Sequence, residues 1–145
     1  MTSLYAWLLF VHLSAVALFL MAHGVSAAAA FVIRGQGGAT TRPVLKLSQQ
    51  SVVIAYPALL VVVITGVWMG FIGSWWRQGW IWASIVVFVA TMGAMSALAR
   101  PYYKAREAGD AEMETYVAQT RPITLLWIGI AGLLLLIALM TLKPF

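Results

Sequence analysis

The chain has 145 residues, 63% of them hydrophobic and 9% charged, with no cysteine and a formal net charge of +5. A mean hydropathy of +0.93 excludes an ordinary soluble domain and predicts a single-domain polytopic membrane protein, with room for four spans of about 20 residues. The lack of cysteine excludes disulfides, thiolate-bound iron–sulfur clusters, thiol catalysis and covalent haem attachment through paired cysteines.

The first apolar segment covers residues 4–33 and is longer than a hydrocarbon core of about 30 Å, so it must tilt or protrude. Its apolar run and the small residues at 26–30 resemble a signal peptide, but no basic residue precedes them, and a true first span is expected. Both histidines of the chain, His12 and His23, lie in this segment. Eleven steps of about 100° bring them to nearly the same azimuth, about 16 Å apart along a helix.

Ionisable groups at membrane depth point to function. Imidazole is a common metal ligand and an axial ligand of haem iron, so both histidines are candidate cofactor-binding residues and His12 is the candidate metal ligand. His12, among Phe10, Val11 and Leu13, suits an apolar cofactor pocket near the outer face. His23, eleven residues before Arg34, is expected near the bilayer midplane, where Gly24 and the small run Ser26–Ala30 favour close helix packing. No histidine lies elsewhere, so a second axial ligand would come from Met69, Met92, Met95 or Met140, or from another subunit.

After Arg34, the glycine-rich stretch Gly35–Thr41 predicts a flexible loop, and Arg42–Gln50 a short interfacial helix. The second span is expected at residues 52–72, with Tyr56-Pro57 in its first turn and Thr65-Gly66 deeper. Gly66, Gly70 and Gly73 are spaced to seat a neighbouring helix. The third span is expected at residues 80–99, with Tyr102–Gln119 extending its helix, and the fourth at residues 123–142, where Gly129 and Gly132 offer another close contact.

Seven of the nine basic residues fall in the first and third loops, against Arg77 and Lys143 on the other side. The positive-inside rule therefore predicts an antiparallel all-α bundle of four transmembrane helices with both termini outside, in the bacterial inner (cytoplasmic) membrane. Trp7, Trp75, Trp76, Trp80 and Trp82 gather at the outer ends as an aromatic belt. With its basic residues in loops between spans, the net charge reflects orientation and not nucleic-acid binding. No span carries an acid, lysine or arginine at depth, and no hydrolase triad or phosphate-cradling loop is present, which argues against ion-coupled transporters, hydrolases and kinases.

The opening Tyr5-Ala-Trp-Leu-Leu-Phe-Val-His12-Leu, the span from Pro57 to Thr65-Gly66 and the closing Lys143-Pro144-Phe145 occur together in order. In these the chain resembles an uncharacterised family of four-helix predicted integral membrane proteins and, more distantly, HemJ-type protoporphyrinogen oxidases and copper-resistance protein D. The HemJ-type resemblance implies haem b and a functional histidine early in the first helix, the position of His12. It also implies a lysine in the third helix, where this chain has Ala83 or Ser84, so what carries over is haem association and not protoporphyrinogen oxidation.

The function expected on these grounds is a haem b-binding protein of membrane electron transfer or haem metabolism; whether it is an enzyme is left open. The alternative is a non-catalytic accessory subunit of a larger respiratory or photosynthetic complex. Its expected partners are the lipid bilayer and other membrane subunits or further copies of itself. Copper transport through thioether and imidazole ligands is a third possibility.

Overall fold

The computed structural model describes residues 2–36 and 40–144. In chain order it holds α1 (Thr2–Gln36), α2 (Thr41–Ile72), a 3-10 turn (Trp75–Arg77), α3 (Gly79–Glu107), α4 (Asp110–Ala118) and α5 (Pro122–Leu142). There is no strand among the described residues, and all helices but α4 are long and apolar enough to cross a membrane. Helices are the form such segments must take, because lipid offers backbone N–H and C=O groups no partner outside the segment itself. Residues 37–39, the centre of the expected flexible loop, lie outside the described residues.

The most extensive packing is between α1 and α2. On α1 the buried and half-buried positions His12, Ala15, Phe19, Ala22, Ser26, Ala29 and Ile33 follow one another in alternating steps of three and four. That 3.5-residue period keeps one seam facing a nearly parallel partner. The facing residues of α2 include Ser48, Ser51, Ala55, Ala58, Thr65 and Met69, all buried. Lipid tails are as apolar as leucine, so association relies on close backbone approach and interhelical hydrogen bonds, which small and hydroxylated residues supply.

A second seam joins α3 to α5. A Cβ at Gly132 would run into the Thr91 side chain, 3.0 Å from its Cβ, and one at Gly129 would touch Met95 Sδ at 3.7 Å. Both glycines expected to seat a neighbour in the fourth span therefore do so. Gly24 does not: an added Cβ there meets nothing within 4 Å. Of the small run beside His23, Ala29 and Ala30 turn inward while Gly24 faces out.

The two helix pairs are joined mainly at their ends. At the basic end Ile33, Leu45, Ala105 and Met113 form a core cluster, flanked by Tyr116 and Val117. Arg34 donates to the carbonyls of Val117 (3.2 Å), Ala118 and Thr120 (3.3 Å), satisfying the last turn of α4 with a cation. Arg42 pairs with Asp110 at 2.6 Å. At the tryptophan end Lys143 lies 4.3 Å from the ring centre of Trp75 and 5.3 Å from that of Trp80. Its backbone is left-handed, with φ of 44°, which a non-glycine residue adopts only when neighbouring contacts hold it.

Three expectations are corrected. Arg42–Gln50 is not a separate interfacial helix but the start of α2, so Pro57 lies inside that helix and not in its first turn. There it deprives the Val53 carbonyl of a helical donor. Tyr102–Gln119 does not simply extend α3: the helix ends at Glu107, and Ala108 and Gly109 turn the chain into α4. The cause is burial, because Met113 can cover Ile33 and Leu45 only if the helix folds back. The aromatic belt is also partly a packed cluster, since Trp80 is buried and Trp75 takes Tyr5 edge-on at 6.1 Å.

Gly132→Val should destabilise the protein by about 1–3 kcal/mol through overpacking of the α3–α5 seam. Gly24→Ala should be neutral or stabilising by up to about 1 kcal/mol, because helix propensity improves and nothing is displaced. Thermal unfolding followed by circular dichroism in mild detergent measures both; equal effects would contradict the packing described.

Candidate functional site

His12 is 7% exposed, held in the α1–α2 seam by Thr65 and Gly66. Its Nδ1 lies 2.9 Å from Thr65 Oγ1. The same hydroxyl donates back to the Val61 carbonyl at 2.6 Å, and lies 3.2 Å from that of Val62. A hydroxyl has one proton, and the helix carbonyls take it, so towards the imidazole Thr65 Oγ1 is an acceptor. His12 therefore donates from Nδ1–H, and in the neutral ring Nε2 keeps its lone pair. Nε2 makes no hydrogen bond among the described residues and is not one of the fully enclosed unpartnered polar atoms. Fixing one ring nitrogen so that the other presents a lone pair is how proteins prepare a metal-ligating histidine.

Gly66 makes room for the ring: a Cβ there would stand 3.4 Å from His12 Cε1 and 3.8 Å from Nδ1. Of the three glycines expected to seat a helix in the second span, this one receives the candidate ligand. Gly70 receives Ile81 and Trp76 instead.

His23 does not share the site. It is half-buried and stacks on Phe19, one turn earlier on the same helix, with ring centres 5.6 Å apart and planes at 16°. Along a seam of period 3.5, eleven residues drift by about 50° rather than the 20° of an ideal helix, which moves His23 off the line that holds His12.

Of the methionines considered as second ligands, Met69 lies on the same seam, one turn beyond Thr65, and is buried. Met95 packs against Gly129 in the other helix pair, and Met140 is exposed. Among the described residues no group of three or more histidine, aspartate or glutamate side chains gathers to hold a metal ion. The donor set at His12 is thus a single imidazole.

A second polar station lies about 21 Å along the seam towards the basic end. Arg106 Nη2 donates to Ser48 Oγ at 2.8 Å, Ser48 Oγ to Ser26 Oγ at 3.4 Å, and Ser51 Oγ to the Ser48 carbonyl at 2.9 Å. Ser26 and Ser51 share a hydrogen bond of 2.6 Å, and Ser26 Oγ lies 3.2 Å from the Ser48 carbonyl. Each hydroxyl donates once, and the serines of both helices are satisfied. Sequence reasoning overlooked Ser48, Ser51 and Arg106, and noted Thr65 without its partner. The missing signal was register: 12 and 65, like 26 and 51, sum to 77, and one such pair predicts the other in an antiparallel hairpin.

Thr65→Val should destabilise the protein by about 0.5–2 kcal/mol by leaving the His12 donor unpaired, whereas Thr65→Ser should cost less. Unfolding in mixed micelles compares the two; equal losses would show that methyl packing, and not the hydrogen bond, matters at this position.

A family model described as "Predicted integral membrane protein (DUF2269)" matches residues 6–144. No curated protein and no solved structure matches the chain.

Proposed function

The chain belongs to the DUF2269 family of predicted integral membrane proteins, and within that frame we propose that it binds haem b through His12, in membrane electron transfer or haem metabolism. The observation that carries this reading is the 2.9 Å contact of His12 Nδ1 with Thr65 Oγ1, which itself lies 2.6 Å from the Val61 carbonyl, an arrangement that favours a proton on Nδ1. That leaves Nε2 as the lone pair an axial ligand requires. The HemJ-type enzymes, with a histidine at the matching place in their first helix, offer an analogy for the same role.

Among the described residues, His12 alone would hold the haem, through Nε2. Haem, when bound, supplies one-electron chemistry. The chain's own part is to present Nε2, to hold the ring upright between Thr65 and Gly66, and to exclude water with exposed apolar side chains such as Phe10 and Leu13. The second axial position would stay open or be filled from another subunit. The end carrying seven of nine basic residues faces the cytoplasm in this proposal, so the start of α1 and the end of α5 face outward.

A second reading, an accessory subunit or homo-oligomer, has its own support. Within the described residues of α5 only Pro122 and Gly132 are buried, while Ile123, Trp127, Leu134 and Leu142 are each more than 55% exposed. Such faces meet either lipid or another membrane helix.

Protein purified in mild detergent from haem-sufficient cells should show a Soret band. The band should be lost in His12→Ala, retained in His23→Ala and shifted or weakened in Thr65→Val. A colourless native protein of normal helicity would refute haem binding. Native mass measurement on the same preparation tests the second reading, which a lone monomer would contradict.

A further inference from the structure

Arg106 differs from every other basic residue of the chain. The remaining eight are exposed, and Arg106 alone is half-buried. Its Nη2 is spent on Ser48, while its Nε is enclosed with no partner. Its guanidinium carbon lies 5.2 Å from the ring centre of Tyr103, whose hydroxyl is 3.3 Å from that of Tyr56. No carboxylate compensates the charge: the one ion pair among the described residues is Arg42 with Asp110. A partly desolvated cation without a counter-charge is costly, and a site of this kind is stabilised by an anion from outside.

Depth narrows the choice of anion. His12 is about 7–8 Å of helix from Trp7, and Ser26 about 21 Å further. With Trp7 of the aromatic belt taken as the outer edge of a core of about 30 Å, Ser26 and Ser51 stand at the far edge and Ser48 and Arg106 just beyond it. That is the level of lipid phosphates. Tyr56 and Tyr103, 57% and 39% exposed, bring hydroxyls to the same level from α2 and α3. A guanidinium charge packed on the Tyr103 ring, with two phenol hydroxyls 3.3 Å apart on the same pair of helices, suits the charge and the several acceptor oxygens of a phosphoryl group.

We infer that Arg106, held in place through Ser48, forms with Tyr56 and Tyr103 a binding site for an anionic phosphoryl group at the membrane surface, where α2 and α3 meet. The site is independent of His12, which lies towards the other end of the seam. Its natural occupant is the headgroup of an anionic phospholipid or free phosphate, which share the recognised chemistry. Basic pockets between membrane helices take anionic headgroups in this way.

Native mass spectrometry of the full chain in detergent, titrated with short-chain phosphatidylglycerol and separately with phosphatidylcholine, tests the site. One retained phosphatidylglycerol per chain is expected, bound about tenfold or more weaker by Arg106→Gln, because a charge-assisted donor set is lost. Tyr103→Phe keeps the ring under the guanidinium and should weaken binding by a few-fold, which covers the case that Arg106→Gln folds poorly. Arg77→Gln, at the opposite end, should bind like the parent. Displacement of the lipid by millimolar inorganic phosphate would identify free phosphate as a competent occupant; resistance to it would identify the lipid headgroup. Equal retention of phosphatidylcholine, or phosphatidylglycerol binding unchanged by both Arg106→Gln and Tyr103→Phe, would overturn the site.

Discussion

Lipid gives a side chain no hydrogen-bond partner, so His12 and Ser26, which α1 carries into the bilayer, find theirs across the seam with α2. That requirement fixes the pairing of the two helices. His12 meets Thr65 and Ser26 meets Ser51, in one common register. A slip of one residue would break both pairs and drive the imidazole away from the space Gly66 leaves for it. Alanines at 15, 22 and 29 allow the approach that these short side chains need. Packing and hydrogen bonding therefore specify the same alignment, as expected where each local choice supports the global fold.

The second helix pair is specified differently. Among the described residues no side-chain hydrogen bond joins α3 to α5, Ser84 donating to Trp80 of its own helix, and the closeness of this seam comes from Thr91 entering the gap left by Gly132. The pairs then meet at two polar or aromatic ends, Arg34 and Arg42 with α4 at one and Lys143 with Trp75 and Trp80 at the other. An assembly clamped at its ends leaves the mid-membrane faces of α3 and α5 largely uncovered. Lipid or a neighbouring helix completes them.

The number, order and length of the spans were legible because a hydrophobic run of 20 residues has only one way to cross a bilayer. Gly129 and Gly132 were legible as contact sites for a similar reason: small residues at helical spacing in lipid mark close approach. The break at Ala108–Gly109 was not, although Gly109 signalled it, because polar helix-compatible residues on both sides read as one continuous helix. The inward turn of Arg106 was hidden among loop arginines that look alike in sequence. The histidines show the limit most clearly. An ideal 3.6-residue helix puts His12 and His23 on one line, but a seam follows the 3.5-residue period of its partner, and over eleven residues that difference leaves one ring in the interface and the other on Phe19.

What gives His12 chemical meaning is therefore not its depth but the direction in which its proton is held. Thr65 can accept from Nδ1 only because the Val61 carbonyl takes the threonine proton, and the lone pair on Nε2 follows from that order. Nitrogen-15 NMR of histidine-labelled protein in detergent, with His23→Ala to remove the second signal, reads the tautomer directly. A protonated Nδ1 and a bare Nε2 are expected, and the Nε2 resonance should change most when haem is added. A proton on Nε2 with Nδ1 bare would contradict this arrangement and remove the basis for ligation at His12.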